Sequence, residues 1–191
     1  MKQFSFSTQY LGDPTDTIEF LLHPETFSDW MPFVRKVEVL KRPSPEVLIT
    51  SWEIELDGAL LTWREEGRFI PDRQLIRFRM LNGDFKVYQG EWRVVSQGER
   101  VKLTLCVELD WGATNLSNFV SQVLEHKVER AIRGMVLAVG RAATHLNRRK
   151  SQDVRRFGYI FHPSDIGLLA EGFGDHDLRM KRPALLERII T

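Results

Sequence analysis

The chain has 191 residues, 42% of them hydrophobic and 28% charged, with 27 Lys and Arg against 26 Asp and Glu. That is one globular domain, or one domain with an appendage; it is too apolar for a disordered chain, and a net charge of +1 provides no field to gather nucleic acid or an anionic membrane. The single cysteine, Cys106, excludes an internal disulfide, no apolar run is long enough to span a membrane, and the start MKQFSFSTQY lacks a basic segment followed by an apolar run, so no signal peptide is expected and the default compartment is the cytoplasm.

Phe4, Phe6, Thr8 and Tyr10 alternate at the strand period. Gly12-Asp13-Pro14 ends that strand, Asp13 is placed to cap a helix, and Pro14 suits its first position. Ile18, Leu21 and Leu22 follow at helical spacing, and His23-Pro24 stops the helix. A second short helix is predicted over 24–30, ended by Met31-Pro32. From Val34 to Asp110 the chain reads as strands over 34–40, 47–56, 60–70, 75–81, 85–95 and 101–110. Their turns are Pro43-Ser44-Pro45, Asp57-Gly58, Pro71-Asp72, Asn82-Gly83 and Gln97-Gly98, and Asp-Gly and Asn-Gly are strong hairpin signals. Consecutive strands joined this way form an antiparallel meander.

The two faces of the meander differ. One carries Trp52, Ile54, Leu56, Leu61, Trp63, Glu65, Phe69, Ile76, Phe78, Met80, Tyr88, Trp92, Val94, Leu103, Leu105 and Val107. The other carries Arg64, Glu66, Arg68, Arg77, Arg79, Glu91 and Arg93, which reads as a solvated ladder of cross-strand charge pairs. After Trp111-Gly112, Thr114 or Asn115 can cap a long helix from Leu116 to about Asn147. One stripe of it holds Val120, Leu124, Val128, Ala131, Met135, Val139, Ala142 and Leu146, with His126, Arg130 and Arg133 roughly opposite, so it is amphipathic and covers the aromatic face. Residues 148–153 read as a polar linker, Phe157 to Pro163 as a short strand, and 165–171 and 183–190 as helical stretches.

Candidate chemistry gathers on the apolar face. Trp52, Trp63, Phe78, Met80, Tyr88, Trp92 and Leu105, with Leu124, Val128 and Met135 from the helix, could line a pocket for a small apolar molecule; the same residues could equally fill a packed core. Glu65 is the one acidic residue at an inward position of its strand. Pointing inward it would be desolvated, its pKa raised, as suits a general acid or base; a bulge near Gly67 would instead turn it out. Tyr88 offers the other inward polar tip. Glu65 and Tyr88 are therefore the catalytic candidates. No histidine has another ligand type three or four residues away on an inward stripe, Cys106 lies on the outward parity, and no nucleophile elbow or phosphate loop occurs, so no metal or cofactor is expected. The basic cluster Arg148, Arg149, Lys150, Arg155 and Arg156 reads as linker rather than as a nucleic-acid site.

The order of strand, two short helices, six-strand meander and long terminal helix resembles the helix-grip fold of the START-like, or polyketide cyclase/dehydrase-like (SRPBCC), superfamily. The resemblance covers about 3–147 and is carried by Asp13-Pro14 through Trp30-Met31-Pro32, by Trp52-Glu53-Ile54-Glu55-Leu56-Asp57-Gly58, by Gly90-Glu91-Trp92-Arg93 and by the final helix. It implies an α+β domain over 1–147 whose curved antiparallel sheet wraps the helix around a cavity, followed by a linker and C-terminal extension over 148–191. It also implies binding of a lipid, quinone or polyketide-like molecule, or else catalysis as a polyketide cyclase/dehydrase. Only Glu65 and Tyr88 offer acid–base chemistry, which tilts the expectation toward binding. The tail from Phe157 to Pro163 is similar to the opening of some long-chain reductase and amino-acid-dehydrogenase-like proteins. A homodimer formed through that extension is the remaining partner expectation.

Overall fold

The computed structural model describes residues 1–56, 58–112 and 118–158, with the side chains of 118–122, 124 and 151–158 outside the description. Alternating apolar residues put the chain into strands from its second residue. Strand β1 (Lys2–Leu11) is followed by helix α1 (Pro14–Leu21) and a tight helical turn, η1 (Pro24–Asp29). Strands β2 (Val34–Ser44), β3 (Val47–Leu56), β4 (Ala59–Ile70), β5 (Leu75–Gly83), β6 (Val87–Gln97) and β7 (Arg100–Asp110) come next, and then helix α2 (Asn118–Gly158). The chain divides into two compact units, Met1–Asn147 and Arg148–Thr191.

The strands form one seven-stranded sheet in the order β1-β7-β6-β5-β4-β3-β2, antiparallel throughout. Pairing of β1 with β7, with Phe6 opposite Leu105, ties the start of the chain to the end of the meander. The cap at α1 forms as expected: the Asp13 side chain accepts the Thr15 N–H at 2.6 Å and Pro14 occupies the first turn. On β7 the alternation is strict, with Val101, Leu103, Leu105, Val107 and Leu109 all buried. The outer face is the charged ladder the sequence predicts. Arg79 meets Glu66 at 3.4 Å and Arg77 meets Glu91 at 3.5 Å, with the arginines exposed.

In α2, Val128, Met135, Val139 and Ala142 of the predicted stripe are buried, but the apolar band is broader and also takes in Ile132, Val136, Ala138 and Ala143. The helix approaches β1 so closely that a Cβ at Gly140 would stand 3.0 Å from the Tyr10 ring and 3.3 Å from Thr8. Tyr10 is held from the other side, its hydroxyl 2.7 Å from that of Thr17.

Two expectations are corrected. The long helix does not end near Asn147: it runs to Gly158, through the stretch read as linker and through Phe157 and Gly158, which were expected to open a strand. Asn82-Gly83 is not the hairpin turn. On β5, Asn82 pairs with Arg64 and Met80 with Glu65, so Leu81 is an extra, bulged residue and the strand continues to Gly83. Gly83 (φ 152°) then lies directly against Trp63, where any Cβ would overlap it. The chain turns instead at 84–86, where Asp84 accepts the Thr62 N–H at 2.6 Å. Asp57, residues 113–117 and the tail segments from 159 onward lie outside the described residues. Among the described residues no helix is long and apolar enough to cross a membrane, and no three His, Cys, Asp or Glu side chains are grouped to hold a metal ion.

Candidate functional site

Cross-strand register builds the interior. On the β3–β4 pair, Trp52 lies opposite Trp63 and Thr50 opposite Glu65, on the same inward face. The two indoles stack with centroids 5.4 Å apart and planes 6° from parallel. Each gives its N–H to the polar residue two positions away on its own strand: Trp52 Nε1 donates to Thr50 Oγ1 at 2.9 Å, and Trp63 Nε1 donates to Glu65 Oε2 at 2.8 Å. Two antiparallel strands therefore aim two indoles at one hydroxyl–carboxyl pair.

The alternatives for Glu65 are resolved by this geometry. A bulge does occur beside it, but the extra residue is on β5, so Glu65 keeps its inward parity and is only 9% exposed. Burial raises its pKa from the ordinary 4.5 to about 7, against the opposing pull of the Trp63 indole and, less, of the Trp52 indole. Tyr88 is coupled to it: burial first, and the Glu65 charge second, push the phenol well above its usual range.

Around this pair the rings form a connected wall. Trp63 touches Tyr88 (5.2 Å) and Phe85 (5.7 Å), Tyr88 touches Phe78 (5.3 Å), and Phe27 of η1 meets Trp52 edge-on at 5.8 Å. The rings fill most of the space between sheet and helices. A partly enclosed cavity of about 40 Å³ remains, between α1 and η1 on one side and β3, β4, β5 and β6 on the other. Its polar side chains are Thr50 and Glu65; Trp52, Phe78, Trp92 and Phe27 are among its apolar walls. Thus the space beside Glu65 is roofed by the short helices, not by the long one as expected.

Of the residues predicted to line a pocket, Trp52, Phe78 and Trp92 border this cavity. Trp63 is stacked behind it, Met80 is half-buried opposite Glu65, and Tyr88 joins through the ring contacts. Leu105, Val128 and Met135 are buried in the same core cluster but do not line it. The Leu124 side chain lies outside the described residues. Sequence reading missed Thr50, Gly67 and Phe27. Thr50 was legible, being two residues before Trp52 on the same parity; the fold of η1 onto the sheet was not. A wider depression of about 810 Å³ lies on the outer face of the sheet, but its arginines are already paired, Arg77 with Glu91 and both Arg68 and Arg79 with Glu66.

Residues 19–136 match the family model described as polyketide cyclase/dehydrase and lipid transport. Among solved structures the chain is similar to TTHA0849 from Thermus thermophilus, with TM-score 0.71 and 15% identity over 76% of this chain and 99% of that one. It is similar to the Zhui aromatase/cyclase from Streptomyces sp. R1128, with TM-score 0.67 and 23% identity over 74% and 93%. A START superfamily protein from Mycobacterium smegmatis follows, with TM-score 0.62 and 14% identity over 75% and 98%. No curated protein matches the chain by sequence. At such identities the structural likeness is one of fold, the helix-grip arrangement of a curved antiparallel sheet and a long C-terminal helix.

Proposed function

Because the chain belongs to the polyketide cyclase/dehydrase and lipid transport family, we propose that its first unit binds a small hydrophobic molecule of the lipid, quinone or polyketide-like class in the interior between sheet and helices. One observation carries the reading: a partly enclosed space walled by aromatic and aliphatic side chains and marked, among the described residues, by the hydroxyl of Thr50 and the carboxyl of Glu65. That is the composition of a small-molecule site, an apolar wall with few placed polar groups. Such sites usually measure roughly 300–1,000 Å³, so a space of about 40 Å³ takes up a whole ligand only when part of its wall moves. The wall with the least sheet pairing is α1 and η1. Residues 148–191 are proposed as an extension outside the site.

Native mass spectrometry of the purified full chain, followed by organic extraction, tests this. A bound neutral lipid, quinone or polyketide supports it. A chain that is empty, and whose tryptophan fluorescence and melting temperature ignore added apolar molecules, has a filled core and no such site.

A second reading, a polyketide cyclase/dehydrase, is favoured by the ionisable pair inside the aromatic wall. A buried carboxyl titrating near 7 is matched to general acid–base work at neutral pH. On this reading Glu65→Gln abolishes turnover of a polyketone thioester while the chain still binds it. Undiminished turnover in that variant removes Glu65 from the mechanism.

A further inference from the structure

This inference rests on the interior being a ligand site, as proposed above, and concerns what the ligand must carry. Thr50 Oγ1 and Glu65 Oε2 each already accept an indole N–H. Beyond those bonds the pair has two hydrogens to give, the hydroxyl proton of Thr50 and, when Glu65 is protonated, its carboxyl proton, beside the acceptor capacity left on Glu65 Oε1. The remaining lining is aliphatic and aromatic, its other polar atoms the indole nitrogens of Trp52 and Trp92, and among the described residues no lysine, arginine or histidine lines it. Gly67, the next inward position of β4, keeps the space beside Glu65 open, its nearest neighbours lying 3.9 Å or more from where a Cβ would stand. A water needs roughly 10–15 Å³ of this kind of space, so about 40 Å³ admits a carbonyl and the carbons flanking it. A carboxylate there would bury its negative charge with no cation among the lining residues to meet it, and above the Glu65 titration would face a second one, which is far costlier than burying a neutral oxygen.

We infer that the Thr50–Glu65 pair is a subsite for a neutral, hydrogen-bond-accepting oxygen, the carbonyl of a ketone or quinone on an otherwise apolar ligand, and that it rejects carboxylates. Glu65 is the donor that pH controls. Its pKa of about 7 leaves the carboxyl proton in place in mildly acidic solution and removes it in alkali. Tyr88 on β6 is the ionisable group coupled to it, and burial keeps that phenol protonated across the same range. The cavity walls from α1, η1, β3 and β5 bring no ionisable side chain.

The test uses the full chain and three probes of one chain length, methyl nonyl ketone, undecane and undecanoate, followed by quenching of tryptophan fluorescence. At about pH 6 the ketone binds roughly fivefold to tenfold tighter than undecane, the worth of one hydrogen bond, and undecanoate binds more weakly than either. At about pH 9, beyond the Glu65 titration, most of the ketone's advantage disappears. Glu65→Gln, which offers an N–H in place of the O–H, keeps the ketone preference at both pH values; Thr50→Val and Glu65→Leu lose it. Equal binding of ketone and alkane by the unmodified chain at the lower pH, or undecanoate binding as tightly as the ketone, overturns the subsite and leaves interior binding standing. Failure of all three probes to bind overturns the interior site itself. The unmodified chain alone separates these outcomes, whatever the folding of the variants.

Discussion

Burying Glu65 has a thermodynamic consequence that can be measured without a ligand. In the unfolded chain its carboxyl titrates near the ordinary 4.5, and in the folded chain near 7. Between those values the native state holds a proton that the unfolded state has lost, so the contribution of this group to stability is greatest below pH 4.5, falls as pH rises to about 7, and is constant above. A displacement of about two and a half units corresponds to roughly 3 kcal/mol. Glu65→Gln stays neutral and escapes this loss. The stability of the variant relative to the unmodified chain therefore rises by up to about 3 kcal/mol between pH 5 and pH 8, read by urea denaturation of both proteins. A difference that is the same at the two pH values would show that Glu65 does not titrate in a desolvated site. Gly83 makes the opposite kind of point, about space alone. With φ at 152° and Trp63 in contact, it has no room for a methyl group. Gly83→Ala is expected to destabilise by about 1–3 kcal/mol through overpacking, whereas Gly98→Ala, in the open β6–β7 turn with nothing within 4 Å, meets only the backbone strain of its φ of 65°. If the two variants lose the same stability by denaturation, the Trp63 contact is not what requires Gly83.

At the scale of elements, two helix glycines distinguish a fixed contact from a yielding one. Alanine in a helix interior gains about 1 kcal/mol over glycine. At Gly140 the new methyl would press on Tyr10 at 3.0 Å, and Tyr10 is pinned by its bond to Thr17, so the gain is cancelled or reversed. At Gly134 the neighbour is the half-buried ring of Phe33 at 3.3 Å, at the chain's entry to β2, where a shift of a few tenths of an ångström is available. Thermal melts should show Gly134→Ala more stable than Gly140→Ala by about 1 kcal/mol; equal effects would mean that α2 does not rest on β1 as described. The same elements show what local sequence can and cannot specify. Asp13-Pro14 was read correctly as a helix start because capping is a matter of adjacent residues. Asn82-Gly83 was misread because its fate depends on a bulge at Leu81 and on the bulk of Trp63 across the β4–β5 pair, which no window of neighbouring residues contains. The helix beyond Asn147 was missed for a related reason: a polar, charged stretch reads as linker, yet arginine, lysine and glutamine are good helix formers and simply continue the preceding turn. The orientation of Glu65 was likewise open until pairing showed which strand carries the extra residue.

For the molecule as a whole, strand parity foretold which rings face inward but not how much space they leave between them. Volume depends on how Trp52, Trp63, Phe78 and Tyr88 interlock with Phe27 arriving from η1, and a face assignment is silent on that. The result is an interior nearly full, with the Thr50–Glu65 pair beside a space of about 40 Å³. A fold that closes so tightly over a carboxyl gives up stability to keep it there. Gly67 puts this to the test from the opposite side. It sits in mid-strand, where glycine leaves backbone freedom to be lost on folding and packs nothing. A methyl there would meet Leu48 and Ile76 at 3.9–4.0 Å, ordinary contact distance, and would take part of the cavity. Gly67→Ala should therefore raise stability by about 0.5–1 kcal/mol while weakening the binding of methyl nonyl ketone, because the stabilising methyl occupies the space the carbonyl needs. Denaturation and fluorescence titration of one protein preparation read both effects. A variant that is more stable and binds the ketone as before would place the ligand elsewhere in the interior, away from the Thr50–Glu65 pair.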